Sequence, residues 1–228
     1  DDEFDTDNGY SGKLQYIVGL RDPNVADKSK SNGFESDNDS KGSTNSPYTN
    51  PIFATLILFG PYKTRTGTPD PTGGSSGGSF QAAMHLRRSS KLNAYKSIFA
   101  GWPVGLFVDG KEGNSQQHAT DGELLVKNSV LAGMKNNYKD DFDSIYFNRE
   151  NGGNKTFIEN DELKIQDPFN LTNPKFTLQS GSPLAGLSNL FDELNDPFFD
   201  KVDFIGAFGN DDWTADWANY DPQNTVYW

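Results

Sequence analysis

The amino-acid sequence predicts an all-β protein whose strands stack as a parallel β-helix (solenoid) with an aromatic-rich C-terminal cap. Three observations support this fold class. The 228 residues include 23 glycines, and polar turn residues separate short apolar runs, which is typical of short strands joined by turns. Short motifs recur at intervals of the size expected for stacked coils. Helical spacing of apolar residues is poor everywhere, and the nearest approach, a candidate short helix, is 183–194.

The first repeat relates Phe4-Asp5-Thr6-Asp7-Asn8 to Phe34-Glu35-Ser36-Asp37-Asn38, and weaker copies begin at Met84 and Leu106. Because side chains alternate along a strand, the first and third positions of each copy are expected inside and the second and fourth outside. The outward positions form two surface columns when the copies stack. One column is Asp5, Glu35, His85 and Phe107, and the other is Asp7, Asp37, Arg87 and Asp109.

The second repeat is an apolar triplet followed by glycine, at 57–60, 98–101 and 130–133. Loops of very different length separate the copies, which a solenoid tolerates because each coil contacts only its neighbours. The residue composition becomes polar and rich in turn-forming residues after Gly133. We therefore predict β-helix coils over 1–133, continuing N-terminally in a longer protein, and the last coils with the capping region over 134–228.

The C-terminal part contains short candidate strands at 164–166 and 176–178, followed by many aromatic residues. Large rings bury much area and would shield the last coil of a solenoid. A surface that stacks against carbohydrate is the functional alternative for the same rings. The rings concerned are Phe198, Phe199, Phe204, Phe208, Trp213, Trp217, Tyr220, Tyr227 and Trp228.

The composition argues against several classes of function. A net charge of −12 would repel nucleic acid and anionic membranes, but it is compatible with divalent cations, neutral glycans or simple solubility. The absence of cysteine excludes disulfides and thiolate sites. The sequence also lacks a run of 18 apolar residues, which is what a membrane-spanning helix would require. The chain opens at Asp1 without a Met or a signal peptide. We therefore expect an N-terminal segment or a partner chain to cover the first coil.

A calcium site is predicted from Asp5, Asp7, Glu35 and Asp37, because stacking brings like positions within about 4.8 Å of each other. Carboxylates so close repel by about 1 kcal/mol per pair at a surface, and a hard cation with oxygen ligands relieves the repulsion. The segment is not an EF-hand, since Tyr16 stands where the required Glu would be. A hydrated acidic ladder without metal is the alternative.

The C-terminal sequence carries a family resemblance. The stretch 198–209 (FFDKVDFIGAFG), followed by Trp213 and Trp217, resembles the ending of a large family of Bacteroidetes secreted or outer-membrane-associated proteins with the pattern "FF..V.Y.GAFG..DW..GW". Asp216 departs from it, since Gly is common there. The stretches 180–186, 5–12 and 33–38 are similar to further elements of that family. The resemblance implies a right-handed parallel β-helix exported across the bacterial envelope, as a lipoprotein or type IX secretion substrate, with its leader upstream of Asp1.

An enzymatic alternative comes from Asp7, Asp37 and Arg87, which lie in one predicted column and are similar to the calcium-holding acids and arginine base of β-helix pectate lyases. Such enzymes remove the proton beside a uronate carboxylate. Two points weigh against it. Arginine is a poor base, and the interval of 50 residues from Asp37 to Arg87 leaves room for an intervening coil. Arg87 could simply pair with neighbouring acids, and His118, in a polar loop, is expected to be solvated.

We therefore expect a secreted or outer-membrane-surface bacterial β-helix protein with a non-enzymatic binding, adhesion or envelope-assembly role. Polysaccharide or other envelope proteins are the expected partners, and nucleic acid is not. The alternative is a polysaccharide-active β-helix enzyme that performs calcium-assisted β-elimination. An exposed apolar stripe of Trp102 with Phe107 would favour partner binding, whereas a groove joining calcium, His85 and Arg87 would favour the lyase.

Overall fold

The computed structural model describes residues 1–69, 73–74, 77–187 and 192–226, and short strands dominate it, which confirms the all-β class. The strands are β1 (Phe4–Thr6), β2 (Lys13–Leu20), β3 (Val25–Ala26), β4 (Phe34–Ser36), β5 (Ile52–Phe59), β6 (Gly73–Gly74), β7 (Ala82–Leu86), β8 (Asn93–Tyr95), β9 (Ile98–Ala100), β10 (Val104–Val108), β11 (Leu125–Lys127), β12 (Val130–Ala132), β13 (Asn136–Tyr138), β14 (Lys155–Phe157), β15 (Ile165–Asp167) and β16 (Lys175–Leu178). The helices are α1 (Ser115–Asp121) and α2 (Asp141–Phe147), with short 3₁₀ turns at Glu150–Gly152, Asn160–Leu163 and Asp192–Asn195.

The first sheet is built from the first repeat. Its strand order is β1-β4-β7-β10-β13, and the neighbouring strands are parallel. Phe4 pairs with Phe34, Phe34 with Met84 and Met84 with Leu106, so the predicted register of all four copies is confirmed. The expectation that a coil could intervene between Asp37 and Arg87 is wrong. Strand β4 pairs directly with β7, and the extra residues lie in the connection between them.

The second sheet is built from the second repeat. Strand β2 pairs with β5, and β5 is long enough to pair with both β8 and β9. Pairing continues from β8 to β11 and from β9 through β12 to β14, always in parallel. Ile57, Ile98 and Val130 lie in one register, which confirms the second repeat. Each turn of the chain from β1 to β14 therefore adds a strand to both sheets.

A bend divides the second sheet into two halves at one repeated position. The position is occupied by Tyr16, Thr55, Lys96 and Asn128 in successive coils, all with φ between 47° and 57°. This left-handed backbone is uncommon for residues other than Gly and Asn. In β5 the bend separates the half that pairs with β8 from the half that pairs with β9.

The main core lies between the two sheets. Phe34 is fully buried, and its ring centroid lies 4.6 Å from that of Phe53 and 5.9 Å from those of Phe4 and Phe99. These rings come from both sheets, so their burial holds the sheets together. Inward orientation of the first and third repeat positions is therefore confirmed.

The helices are short, and α1 and α2 were not predicted from the sequence. Each forms the connection that follows a strand of the first sheet, α1 after β10 and α2 after β13. The Asp140 side chain caps α2 by accepting from the Asp143 N–H at 3.2 Å. The predicted helix at 183–194 is not formed over 183–187, while 188–191 lies outside the described residues.

The C-terminal segment packs against the second sheet. Strands β15 and β16 lie at the candidate strands predicted at 164–166 and 176–178, and they form an antiparallel pair. The ring of Phe176 stacks between those of Phe59, at 5.7 Å, and Phe208, at 5.0 Å, and all three are buried. Leu194 and Phe199 join Ala54 and Tyr95 in a separate cluster on the same sheet. No helix in the described part of the chain is long and apolar enough to span a bilayer.

Candidate functional site

The two predicted columns lie side by side on the outer face of the first sheet. Asp5 pairs in register with Glu35, Glu35 with His85 and His85 with Phe107. Exposure falls along the column, from the exposed Asp5 through the half-buried Glu35 to His85, which is buried. The register brings together the residues nominated from the sequence, and their contacts define the chemistry.

Arg87 is held by two carboxylates. Its Nε donates to Asp37 Oδ1 at 2.9 Å and its terminal nitrogen to Asp37 Oδ2 at 3.2 Å, while the same nitrogen also donates to Glu35. Although burial opposes it, the hydrogen-bonded Asp37 carboxylate raises the pKa of Arg87 above its ordinary value. A guanidinium bound in this fork holds its proton more tightly than a free one, so Arg87 is even less available as a general base. The geometry therefore fits the interpretation that Arg87 pairs with neighbouring acids.

The two acids respond differently to this pairing. Burial would raise the pKa of Glu35, but the nearby His85 ring and the charge of Arg87 lower it below the ordinary value. Burial raises the pKa of Asp37 despite the hydrogen bonds from Arg87. Arg88 extends the network by donating to Asp37 at 3.3 Å and to Glu112 at 3.0 Å. Sequence reasoning missed Arg88, and its only signal was adjacency to Arg87.

His85 is enclosed rather than free to act on a ligand. Its ring lies 4.7 Å from that of Phe107 at an angle of 4°, a parallel stack. Nε2 is 3.3 Å from Asp109 Oδ2, and Nδ1 is 3.8 Å from Glu35 Oε2. The stripe of Trp102 with Phe107 does not form, because Trp102 is fully buried and donates to the Leu58 carbonyl at 3.2 Å.

The predicted calcium ligands are divided between two environments. Glu35 and Asp37 are bound by arginine, whereas Asp5 and Asp7 are exposed. Burial and the neighbouring carboxylates of Glu35 and Asp7 raise the pKa of Asp5. Within the described ranges, no three His, Asp or Glu side chains are grouped so that they could hold a metal ion. Calcium binding by these four residues stays a prediction.

His118 is not solvated, so that expectation is wrong. It lies in α1, is only 6% exposed, and its Nδ1 is 3.3 Å from the Ser90 carbonyl oxygen. The Tyr48 ring packs edge-on at 5.4 Å. Its surroundings are those of a histidine that anchors a helix to the core.

The C-terminal aromatic residues separate into a buried set and an exposed set. Phe208 is fully buried, and Trp213 stacks on it at 5.0 Å with an angle of 6°. Trp217 then stacks on Trp213 at 6.0 Å and 23°. Trp213 is 36% exposed and Trp217 is 69% exposed. We call these two indoles the tryptophan pair; Tyr227 and Trp228 lie outside the described residues.

The orientation of the tryptophan pair is fixed by hydrogen bonds. The Trp213 indole N–H donates to the Ala207 carbonyl at 2.8 Å, and the Trp217 indole N–H donates to the Trp213 carbonyl. Asp212 lies beside them, where its carboxylate accepts from Thr214. The arrangement presents a preformed apolar ring surface with carboxylates nearby.

Comparison with protein families agrees with the stacked parallel sheets. The family model described as the pectate-lyase-like β-helix domain matches residues 1–172, about three quarters of the chain. The chain belongs to this family. Searches of curated proteins and of solved structures return no match.

Proposed function

We propose that this β-helix protein binds neutral carbohydrate at the tryptophan pair, without catalysis, as a secreted or surface-held bacterial protein. The exposed stack of Trp217 on Trp213 carries the proposal. A flat indole provides apolar area for the C–H face of a sugar ring, and indoles held by hydrogen bonds lose little freedom on binding.

The charge of the chain favours a neutral ligand. A net charge of −12 opposes the approach of uronate polymers, and the acids near the tryptophan pair, Asp212 and Asp216, are suited to accept from sugar hydroxyls. The export route implied by the resemblance of 198–217 to Bacteroidetes envelope proteins supports the surface location.

The finer architecture belongs to the same proposal. Right-handed winding is supported by the parallel pairing of strands joined by long connections, which are nearly always right-handed. An aromatic cap is supported by the packing of Phe176 and Phe208 against Phe59. A partner chain on β1 and β2 is supported by the half-buried Phe4 at that edge.

A calcium-assisted lyase is the second candidate function, and membership of the pectate-lyase-like family favours it. Its base would be Arg87, with Asp37 and Glu35 as cation ligands. The hydrogen bonds between these three residues weigh against it, because a lyase would have to break them before acting.

A glycan array with the purified chain tests the proposal. We expect binding to neutral oligosaccharides that Trp217→Ala weakens about tenfold or more, with Phe198→Ala as the control because Phe198 is also an exposed ring. Equal binding by Trp217→Ala and the parent chain would contradict it. Formation of unsaturated uronate product that a chelator abolishes would favour the lyase instead.

A further inference from the structure

We infer that a groove on the outer face of the second sheet is a separate subsite for one ring of an uncharged sugar. The groove has a volume of about 320 Å³ and is lined mainly by Asn50, Ile52, Lys91, Asn93, Glu123 and Leu125. The volume is at the lower end for small-molecule sites. The inference rests on the proposed carbohydrate-binding function and assigns it a second place on the chain.

Asn93 supplies a fixed hydrogen-bond acceptor. Its Nδ2 donates to Asn50 Oδ1 at 2.8 Å and to the Lys91 carbonyl at 2.9 Å, which sets the orientation of the amide. The side chain is only 7% exposed, and its Oδ1 has no hydrogen-bond partner among the described residues. Buried amide oxygens normally have a partner, so this atom points to a donor supplied by a ligand. A sugar hydroxyl is such a donor.

Aliphatic side chains flank this acceptor. Ile52 on β5 and Leu125 on β11 are the register partners of Asn93 on either side, and both are half-buried. Neighbouring strands lie about 4.8 Å apart, so the groove alternates apolar, polar and apolar across a width of roughly two strand spacings. A pyranose has the same combination, an apolar ring face bordered by hydroxyls.

The charges in the groove cancel and are held in place. Lys91 Nζ lies 3.0 Å from Glu123 Oε1 and 4.0 Å from the centroid of the Tyr48 ring. One ammonium and one carboxylate offer donors and acceptors to hydroxyl groups without favouring a charged ligand. An uncharged sugar is therefore preferred over a uronate.

A peptide fits the groove less well than a sugar. Peptides that lie on sheets usually pair with the backbone of an edge strand. Strand β8, which carries Asn93, already pairs with β5 and β11 on its two sides. Its backbone groups are used within the sheet, so recognition here depends on side chains alone.

The test is an NMR titration of the ¹⁵N-labelled full chain with glucose, galactose, mannose and N-acetylglucosamine, each added separately. We expect at least one sugar to shift the side-chain amide signals of Asn50 and Asn93. Glu123→Ala should weaken that sugar about tenfold, because a charge-assisted hydrogen bond is lost, and Glu112→Ala, another exposed acid, should not. Leu125→Ala provides a second variant that removes only apolar contact.

The outcomes separate this inference from the proposed function. The same shifts in Trp217→Ala would support the groove as an independent subsite. If no sugar shifts the Asn50 and Asn93 signals while oligosaccharide binding at Trp217 persists, the groove inference is overturned and the proposed function stands. Equal shifts on addition of tetraglycine would also overturn it, because the groove would then accept peptide.

Discussion

The backbone N–H of Val108 donates to Asp143 Oδ1 at 2.8 Å, which joins α2 to the end of β10. Asp143 is fully buried, and its other carboxylate oxygen has no hydrogen-bond partner among the described residues. Burial, with a smaller contribution from the charge of Asp140, raises the pKa of Asp143 to about 7. An ionisable group thus lies in the contact between helix and sheet.

The contribution of Asp143 to stability should depend on pH. Its pKa is higher in the folded chain than in the unfolded chain, so between about pH 4 and pH 7 the folded state alone retains the proton. Stability should therefore fall as pH rises through that window and level off above it, by roughly 4 kcal/mol at most.

Asp143→Asn tests this dependence, because the amide retains an acceptor for Val108 and cannot ionise. We expect the variant to be more stable than the parent at pH 8, with the difference shrinking toward pH 4, in urea unfolding followed by circular dichroism. Asp141→Asn is the control, since Asp141 is an exposed residue of the same helix. A pH-independent difference for Asp143→Asn would contradict the buried-carboxylate interpretation.

Phe34 should be among the most costly core positions. Its fully buried ring contacts rings from both sheets, and Phe→Ala substitutions in cores cost about 3–5 kcal/mol. We expect Phe34→Ala to lower the free energy of unfolding by that amount, measured by denaturant titration. Phe198→Ala, at a ring that is 52% exposed, should change it by about 0.5 kcal/mol or less. Similar losses for both variants would argue against the stacking of Phe34 in the core.

The register around Phe34 could be predicted because alternation along a strand and the need to bury a face restrict it strongly. A shift of one residue would put Phe34 outside and Glu35 inside. The same reasoning failed for the interval between Asp37 and Arg87, since loop length in a solenoid carries no information about which strands are neighbours. The direct pairing of β4 with β7 places Met84 and Leu86, both fully buried, beside Phe34 and Ser36.

Other features had no usable signal in the sequence. Helix α1 has seven residues, too few for helical periodicity to stand out, so the sequence around His118 predicts a solvated loop. The unpaired oxygen of Asn93 depends on where Asn50 and Lys91 lie, which only the folded chain fixes. The aromatic C-terminus was visible in the sequence, but its separation into buried Phe208 and exposed Trp217 was not.

Arg87 should determine how strongly calcium stabilises this protein. Arg87→Gln leaves Glu35 and Asp37 without their main cationic partner, which should lower stability by roughly 1–2 kcal/mol, because the site is partly exposed to solvent. We expect calcium at about 1 mM, in the range of extracellular sites, to raise the melting temperature of this variant more than that of the parent. Arg65→Gln, which removes an exposed pair with Glu159, is the control.

The parent chain is tested in the same way with a chelator, and its melting temperature distinguishes two outcomes. If a chelator lowers the melting temperature of the parent, calcium is bound despite Arg87, and the prediction for Asp5, Asp7, Glu35 and Asp37 gains support. If the chelator changes nothing in the parent, Arg87 is the cation that offsets the repulsion between Glu35 and Asp37.

Gly101 and Gly122 allow the packing requirement of the second repeat to be separated from its backbone requirement. Both have left-handed backbone, with φ of 73° and 78°. A Cβ on Gly101 would overlap the carbonyl oxygen of Tyr62, whereas a Cβ on Gly122 would meet nothing within 4 Å. Gly122→Ala should therefore cost only the left-handed strain, about 1–2 kcal/mol.

Gly101→Ala should cost more than Gly122→Ala, because the carbonyl it displaces belongs to the adjoining coil, where Tyr62 N–H donates to the Gly101 carbonyl at 2.9 Å. Separating the chain at Gly101 from the chain at Tyr62 would weaken that hydrogen bond as well as the packing of Phe59 against β9. Unfolding by urea at matched pH measures both variants. Equal losses would mean that the glycine of the repeat is needed for its dihedral angles alone, and a larger loss at Gly101 would mean that contact between coils requires it.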